Sequence, residues 1–524
     1  MTAVSLQLRR GVAWGAMACV AVALTATARG AAAAPATSDT AVIELYTRLA
    51  SEGRLLLGAY SRFQWHHPGP LYFYLLVPFY RLSGETTVGL HAGAAALALA
   101  SLGTMLAVLH RRRPWLALLA AVSATVLVWR AAEALASPWN PHVALWPIVA
   151  LVVLAADVLA GEPTHLPVAA LLASVAAQAH VALVPVVGVL SVGPALRALA
   201  GVGTPTERVR WRRPLAFTLV VLAIVWCLPV YEQLTALPSG NMTVLWRFFA
   251  HRTAEAQPLP VAVSAWSDMV VGLVRPNLYV AHGWPFIESP IPWAEWLSLA
   301  VLASLGAGAV RAWLRRDAFA VALQALLLTA LSMALWAVTR IDDRIFDHDV
   351  FWLVGLGALA LPAALDGLGV MNRSLAASVG RGRAVPWIVA VCIVLTVGVA
   401  LTQVRLAARQ SYAPSADATA ARAVAADIAA YAARVRSGRL LLRIDQDVWG
   451  IAAGAILDLH RRGARVAVED DWLVMFAPEF RASGNEDTEV SVAAVARHAR
   501  LSAAGVPTLA EHGDVFVHAL QRAR

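Results

Sequence analysis

Long apolar runs separated by short arginine clusters restrict the fold of this chain more than any other feature. Of its 524 residues, 59% are hydrophobic and 14% are charged, and the mean hydropathy is +0.64. A helix of about 20 apolar residues crosses the hydrocarbon core of a bilayer, which is about 30 Å thick. We therefore expect a polytopic α-helical membrane protein.

The basic residues fit a membrane protein better than a nucleic-acid-binding protein. The net charge is +9, and every basic residue other than histidine is arginine. These arginines gather in short loops between apolar runs, which is typical of cytoplasmic loops. No nucleic-acid partner is expected. Cys19, Cys227 and Cys392 lie within apolar runs without metal-ligand spacing, so we expect buried thiols.

The apolar runs predict about eleven transmembrane helices. The first run, from Gly11 to about Ala34, is interpreted as a retained anchor, with a cleaved signal peptide as the alternative. The later runs cover residues 88–109, 115–131, 143–159, 166–177, 181–196, 215–231, 296–310, 319–338, 350–368 and 385–401.

Four arginine-rich loops give the orientation of these helices. Residues 110–113, 197–213, 311–316 and 373–383 all face the cytoplasm only if residues 166–196 cross the membrane twice, with a turn near Gln178–His180. The prediction is a multi-pass protein of the cytoplasmic (inner) membrane with a cytoplasmic N-terminus. Most of the unusual polar residues then face the outside, which indicates a site at the outer membrane boundary.

The last part of the chain changes in composition and predicts a small soluble domain. Residues 415–524 are expected to form an extracytoplasmic α/β domain that begins with an alanine-rich helix. The predicted elements that follow are a strand at 439–444, a helix at 448–461, a strand at 464–469, a helix at 490–503 and a strand at 514–520. This segment contains no glycine-rich phosphate loop.

The segment after the first apolar run has an unusual order of residues. Asp39 and Glu44 follow the membrane exit, and the motif Ser61–Pro70, which contains Arg62, His66 and His67, opens an aromatic run. This arrangement resembles the GT-C class of integral membrane glycosyltransferases, most closely the protein mannosyltransferase-like and aminoarabinose transferase-like members. The resemblance covers residues 1–410 as a transmembrane glycosyltransferase-like domain, with residues 35–85 as its outer loop.

The resemblance implies transfer of a sugar from a polyprenyl-phosphate-linked donor to an acceptor on the outer face of the membrane. The acceptor would be a glycan, a lipid or a protein, and the bilayer itself is a partner. Such a reaction needs a base for the acceptor proton and cations for the phosphate leaving group. Asp39 is the predicted general base and Glu44 the second carboxylate. Alternatively, Asp39 caps the N-terminus of a helix that starts at Thr40.

The predicted substrate- and phosphate-binding residues share an outer position and a polar side chain. Guanidinium groups pair with phosphate oxygens through two parallel hydrogen bonds, although Arg340 and Arg344 have intra-loop ion pairs with Asp342, Asp343 or Asp347 as their alternative. The complete set is Arg62, His66, His67, Asn140, His142, Arg340, Arg344, His348 and Asp349. No histidine pair shows a diagnostic ligand spacing, so no metal ligand and no cofactor are predicted; a divalent-metal site formed by these histidines and neighbouring aspartates is the alternative.

Two other classes of function stay open at this level. A secondary transporter or lipid flippase without glycosyl transfer would need internal repeats and charged or broken helices at mid-membrane. No convincing repeat is visible, and Asp157 lies close to a predicted helix end. The third alternative is an assembly or sensor protein that acts through residues 415–524.

Overall fold

The computed structural model describes residues 3–31, 36–252, 255–275, 278, 291–369, 384–409 and 416–520. Contacts divide the chain into two compact units. The first unit comprises Met1–Ala28, Ala94–Thr235 and Trp246–Arg409. The second unit comprises Arg29–Gly93, Ala236–Leu245 and Gln410–Arg524. The outer loop and the C-terminal domain therefore belong to one unit, a grouping that the sequence pattern does not indicate.

Helices account for most of the described chain. In chain order they are α1 (Ala3–Ala31), α2 (Ser38–Ser51), α3 (Leu71–Leu82), α4 (Thr87–Arg112), α5 (Pro114–Leu135), α6 (Asn140–Val143), α7 (Leu145–Leu159), α8 (Leu166–Ala179), α9 (Val184–Gly203), α10 (Arg208–Thr235), α11 (Asn241–Ala250), α12 (Leu259–Val270), α13 (Pro292–Leu314), α14 (Ala318–Val338), α15 (Asp347–Val350), α16 (Leu353–Leu368), α17 (Ala384–Arg409), α18 (Ala416–Val435), α19 (Trp449–Arg461), α20 (Leu473–Phe476) and α21 (Val495–Ala503).

Within the described ranges, 7 helices are long and apolar enough to cross a membrane. They cover Thr87–Arg112, Pro114–Ala132, Asn140–Leu159, Val181–Gly203, Arg208–Thr235, Pro292–Leu314 and Ala318–Val338. The prediction of a multi-pass α-helical membrane protein is confirmed, whereas the count of about eleven helices is not. The predicted turn near Gln178–His180 coincides with the break between α8 and α9. The predicted basic loop at 373–383 lies outside the described residues.

Burial separates the central helix of the first unit from a peripheral one. The span Asn140–Leu159 is 94% buried, whereas the span Arg208–Thr235 is 11% buried. Both contain a long stretch that is apolar on all sides, which is typical of a helix enclosed by protein or surrounded by lipid. Small residues allow close helix approach, since a Cβ added at Gly308 would lie 3.0 Å from the Cα of Gly367.

The C-terminal part of the second unit is an α/β domain around a five-stranded sheet. Its strands are β1 (Arg439–Ile444), β2 (Arg465–Val468), β3 (Thr488–Ala493), β4 (Thr508–His512) and β5 (Val515–Leu520), in the spatial order β2-β1-β3-β5-β4. Strand β1 pairs in parallel with β2 and β3, whereas β5 is antiparallel to β3 and β4. The side chains of β1 alternate between partly and fully buried, as expected for a strand with one face on the core.

The structure corrects two details of the predicted elements. Residues 490–503 do not form one helix, because β3 continues to Ala493 and α21 begins at Val495. Val490 and Val492 are buried and pair with Leu442 and Ile444 of β1. The second detail is the connection between the predicted spans 215–231 and 296–310, which is not wholly a loop because it contains helices α11 and α12.

Candidate active site

Asp39 lies in the first turn of helix α2 and does not cap it. Thr37 occupies the N-cap position, and Asp39 is the second residue of the helix. The Tyr60 hydroxyl donates a hydrogen bond to the Asp39 carboxylate, with 2.6 Å between Oη and Oδ1. The structure therefore gives Asp39 a side-chain partner outside its own helix.

The environment of Asp39 suits a general base. The residue is half-buried, and the protein atoms packed around it remove water from the carboxylate. This desolvation raises the pKa of Asp39 above its ordinary value, while the hydrogen bond from Tyr60 opposes the rise. A carboxylate with a raised pKa accepts a proton more readily, and its remaining exposed surface leaves room for a reacting hydroxyl group.

The motif Ser61–Pro70 forms a rigid turn held by backbone hydrogen bonds. The Ser61 amide donates to the Trp65 carbonyl over 2.8 Å, and the His67 amide donates to the Ala59 carbonyl over 2.8 Å. Asn241 closes the turn from the side, because its amide nitrogen donates to the His66 carbonyl over 2.9 Å and its oxygen accepts from the His66 amide over 3.0 Å. This turn fixes the backbone that carries Tyr60 and both histidines.

The two predicted histidines of the motif are buried. Desolvation lowers the pKa of His66 to about 4, although a hydrogen bond with the Val474 backbone opposes the change. His66 is therefore neutral at physiological pH. The His66 Nε2 atom is buried and has no hydrogen-bond partner within the described ranges. The His67 ring packs edge-on against Trp65, with 5.3 Å between the ring centroids.

Arg62, by contrast, lies on the exposed part of the motif. Its guanidinium lies over the ring of Phe63, 4.8 Å from the centroid. Stacking on an aromatic ring is compatible with a guanidinium that also contacts an anionic ligand. The position is compatible with the predicted phosphate contact.

Glu44, the predicted second carboxylate, is fully buried and receives several protein donors. Arg461 donates to its Oε1 from Nε over 3.0 Å, and a second Arg461 nitrogen pairs with the same oxygen. Thr87 donates to Oε2 over 2.7 Å, and the Tyr80 hydroxyl donates to Oε1 over 3.2 Å. This geometry favours a structural role for Glu44, in which the carboxylate joins α2 to α19.

Other predicted site residues come together in the first unit. The His142 ring packs edge-on against Trp139 at 5.1 Å between centroids, and the His348 ring lies 4.9 Å from Trp139. Asn140 donates to the Ala179 carbonyl over 3.1 Å, and Asp349 accepts from the Phe346 amide over 3.1 Å. Aromatic rings thus hold the predicted histidines at the start of α6 and α15.

The predicted arginines of the 339–344 segment are exposed. Arg340 lies over Trp336, 5.4 Å from its ring centroid, and Arg344 lies on the surface. Asp342 pairs with Arg252, so the predicted alternative of an ion pair within the loop does not involve Asp342.

A buried charged cluster in the first unit escaped the sequence analysis. Arg275 lies 3.6 Å from the Asp268 carboxylate, and both side chains are buried. Asp347 is also buried, and desolvation raises its pKa to about 6. The signal in the sequence was a set of charges within an otherwise apolar outer segment. With Arg130 and Glu295 close enough to act on it, the cluster holds no excess positive charge and does not favour a phosphate.

The metal alternative finds no support in the geometry. Over the ranges that the structure describes, no group of three or more histidine, cysteine, aspartate or glutamate side chains could hold a metal ion. His142, His348 and Asp349 are instead arranged with aromatic rings and backbone groups, as described above.

The apolar helices and the small C-terminal sheet define a multi-pass α-helical membrane protein with a small α/β domain. Among solved structures, the chain is similar to ArnT from Cupriavidus metallidurans bound to undecaprenyl phosphate, with a TM-score of 0.57 and 14% identity over 96% of this chain and 98% of that chain. It is also similar to the apo state of the same protein, with a TM-score of 0.54, 14% identity and coverage of 96% and 97%. No protein-family model and no curated protein matches the chain by sequence.

The Glu44–Arg461 ion pair predicts that replacing Arg461 lowers the unfolding free energy much more than replacing the adjacent Arg462. Arg461→Ala leaves a buried carboxylate without its cation, which costs about 3 kcal/mol of unfolding free energy. Arg462 is more exposed and pairs with Asp458 on its own helix, so Arg462→Ala should cost about 0.5 kcal/mol. Thermal unfolding of both variants in detergent measures the difference. Equal shifts would contradict the structural role of Glu44.

Removing the negative charge of Asp347 is expected to stabilise the folded state. Its folded pKa of about 6 lies above the ordinary value of 3.8, so the folded state binds more protons between these pH values and stability falls as the pH rises through them. Asp347→Asn should therefore raise the unfolding temperature at pH 7.5, and the gain should vanish below about pH 4. Asp343→Asn, at an exposed aspartate of the same segment, is the control and should show no such dependence.

Proposed function

We propose that this protein is a membrane glycosyltransferase that moves a sugar from a polyprenyl-phosphate-linked donor to an acceptor hydroxyl, with Asp39 as general base. The observation that carries the proposal is the half-buried Asp39 carboxylate with a raised pKa and a Tyr60 hydrogen bond. It occurs at the predicted position in a chain with an ArnT-like fold. ArnT is an aminoarabinose transferase of the GT-C class, and one of its structures contains undecaprenyl phosphate.

In the proposed reaction, the acceptor hydroxyl approaches Asp39 and gives its proton to the carboxylate. The acceptor oxygen then forms a bond with the anomeric carbon of the sugar, while the bond between that carbon and the phosphate oxygen breaks. Both electrons of the broken bond leave with the polyprenyl phosphate. Tyr60 holds Asp39 in one orientation, so that its Oδ2 atom can receive the proton.

The developing negative charge on the leaving phosphate calls for cationic or neutral hydrogen-bond donors. Arg62 offers an exposed guanidinium. We propose it as the donor contact within the second unit, while His66, whose one N–H is used on the Val474 backbone, stays a predicted contact. Arg340, Arg344 and the histidines of the first unit stay predicted contacts.

The orientation in the membrane belongs to the same proposal. The arginine-rich loops at 110–113, 197–213 and 311–316 support a cytoplasmic N-terminus and an extracytoplasmic C-terminal domain. Asp39 and the C-terminal domain then face the outer side of the inner membrane, where a lipid-linked sugar is consumed. The acceptor is a glycan, a lipid or a protein with a free hydroxyl group.

Replacement of Asp39 tests the proposed chemistry. Asp39→Asn keeps the shape of the side chain but removes the base, so sugar transfer should fall by about 10²- to 10⁴-fold. The measurement is transfer from a radiolabelled polyprenyl-phosphate sugar to lipid and glycan extracts by purified protein in proteoliposomes. Glu52→Gln, at an exposed carboxylate after the end of α2, is the control. Transfer by Asp39→Asn at the wild-type rate would reject Asp39 as the general base, whereas absence of transfer by the wild-type protein would favour a transporter.

The Tyr60 hydrogen bond predicts a shift in the pH profile. It stabilises the ionised form of Asp39, so Tyr60→Phe should raise the Asp39 pKa further. Because the base must be ionised to act, the acidic limb of the transfer rate against pH should move to higher pH. Tyr74→Phe is a matched control, since the Tyr74 hydroxyl donates to the Leu55 carbonyl. A shift to lower pH, or equal profiles for both variants, would contradict the role of Tyr60.

A further inference from the structure

We propose that helix α19 of the C-terminal domain is the positioning element for the catalytic carboxylate, and that Gly450 is its critical residue. In this arrangement α19 holds Ser38 in a left-handed backbone conformation, and this conformation directs the next residue, Asp39, toward Tyr60. The inference rests on the proposed role of Asp39 and adds a function for the C-terminal domain.

The backbone at the start of α2 is held in an uncommon conformation. Ser38 has a φ of 49°, in the left-handed region that residues with a Cβ rarely occupy. Such a conformation is strained and persists only where the surrounding structure imposes it. It lies directly before the proposed base. A constraint at Ser38 is therefore a constraint on the direction of the Asp39 side chain.

Two glycines of α19 form the surface that receives this segment. A Cβ added at Gly450 would overlap the Ser38 hydroxyl and lie 3.4 Å from the Ser38 Cβ. A Cβ added at Gly454 would lie 2.9 Å from the Ala36 carbonyl oxygen and 3.2 Å from the Thr37 Cγ2. Residues four apart share one face of a helix. The helix thus presents a groove without side chains, in which residues 36–38 are seated.

The same two helices are joined again at the middle of α2 and the end of α19. Arg461, the last residue of α19, pairs with the buried Glu44 of α2. The Tyr46 hydroxyl adds a hydrogen bond to the Val474 carbonyl over 3.2 Å. Helix α2 is therefore fixed to the C-terminal domain both before and after Asp39. A displacement of about 1 Å in a catalytic group can reduce the rate by about 100-fold, so this attachment has a direct consequence for transfer.

A suppressor experiment separates positioning from general stability. Gly450→Ala should displace Ser38 and lower kcat by about 10- to 100-fold, with little change in KM for the lipid-linked sugar. Ser38→Gly removes the clashing hydroxyl and adopts a positive φ without strain. In the Ser38→Gly background, Gly450→Ala should therefore cost less than about threefold. Gly438→Ala is the control, because its added Cβ would meet only the Asp487 carboxylate, at an ordinary 3.5 Å.

A crosslink tests the contact without reference to activity. Ser38→Cys with Gly450→Cys should form a disulfide on mild oxidation, because the Cβ separation of 3.4 Å lies near the required range of about 3.5–4.5 Å. Cys19, Cys227 and Cys392 are replaced by alanine in this background, and peptide mass spectrometry detects the bond. Ser38→Cys with Gly438→Cys should not crosslink, since Gly438 has no Ser38 atom within 4 Å.

The experiments separate failure of the positioning role, failure of the α19–Ser38 contact and failure of the proposed base. Transfer by Gly450→Ala at the wild-type kcat, or an equal loss with and without Ser38→Gly, overturns the positioning role even if the crosslink forms. Failure of the crosslink overturns the contact itself. If Asp39→Asn retains full transfer, the proposed base is wrong and the positioning role fails with it, whereas the crosslink result for the packing of α19 against Ser38 still stands.

Discussion

The buried ion pair between Glu44 and Arg461 is the constraint on which the second unit depends. A carboxylate without any exposed surface requires a cation and hydrogen-bond donors, because an unpaired buried charge costs several kcal/mol. Here the partners are 417 residues apart in the chain. The pair therefore ties the segment after the first membrane helix to the end of the chain. It makes the C-terminal domain part of the structure that carries Asp39.

The membrane architecture was predictable because its physical signal is strong and local. A bilayer leaves no water for backbone groups, so each apolar run must satisfy its own hydrogen bonds as a helix. The break between α8 and α9 at His180 was predictable from the arginine-rich loops, which all face the cytoplasm only if residues 166–196 cross the membrane twice. Strand β1 was also predicted with its observed bounds. Residues 490–503 were assigned to one helix because the alternation in Val490 and Val492 is too short to outweigh the helical pattern after it.

The site was predictable only where its residues are close in sequence. Asp39 and the motif with His66 and His67 stood out by their order after the first span. Tyr60 could have been found as an aromatic hydroxyl directly before the motif. Asn241 could not, since it lies 175 residues from the backbone that it holds. Gly450 could not be predicted from the sequence either, because the role of a glycine in a helix depends on which atoms pack against it.

Two opposing requirements act on Asp39 in the proposed reaction. A desolvated carboxylate is a stronger base, but a pKa raised too far would leave it protonated and inactive at neutral pH. Burial supplies the first effect and the Tyr60 hydrogen bond limits it. Both depend on the direction of one side chain, which the positive φ of Ser38 sets. Because α19 receives Ser38 on a glycine face, the acid–base balance of a carboxylate near the N-terminus is controlled by the packing of a helix near the C-terminus.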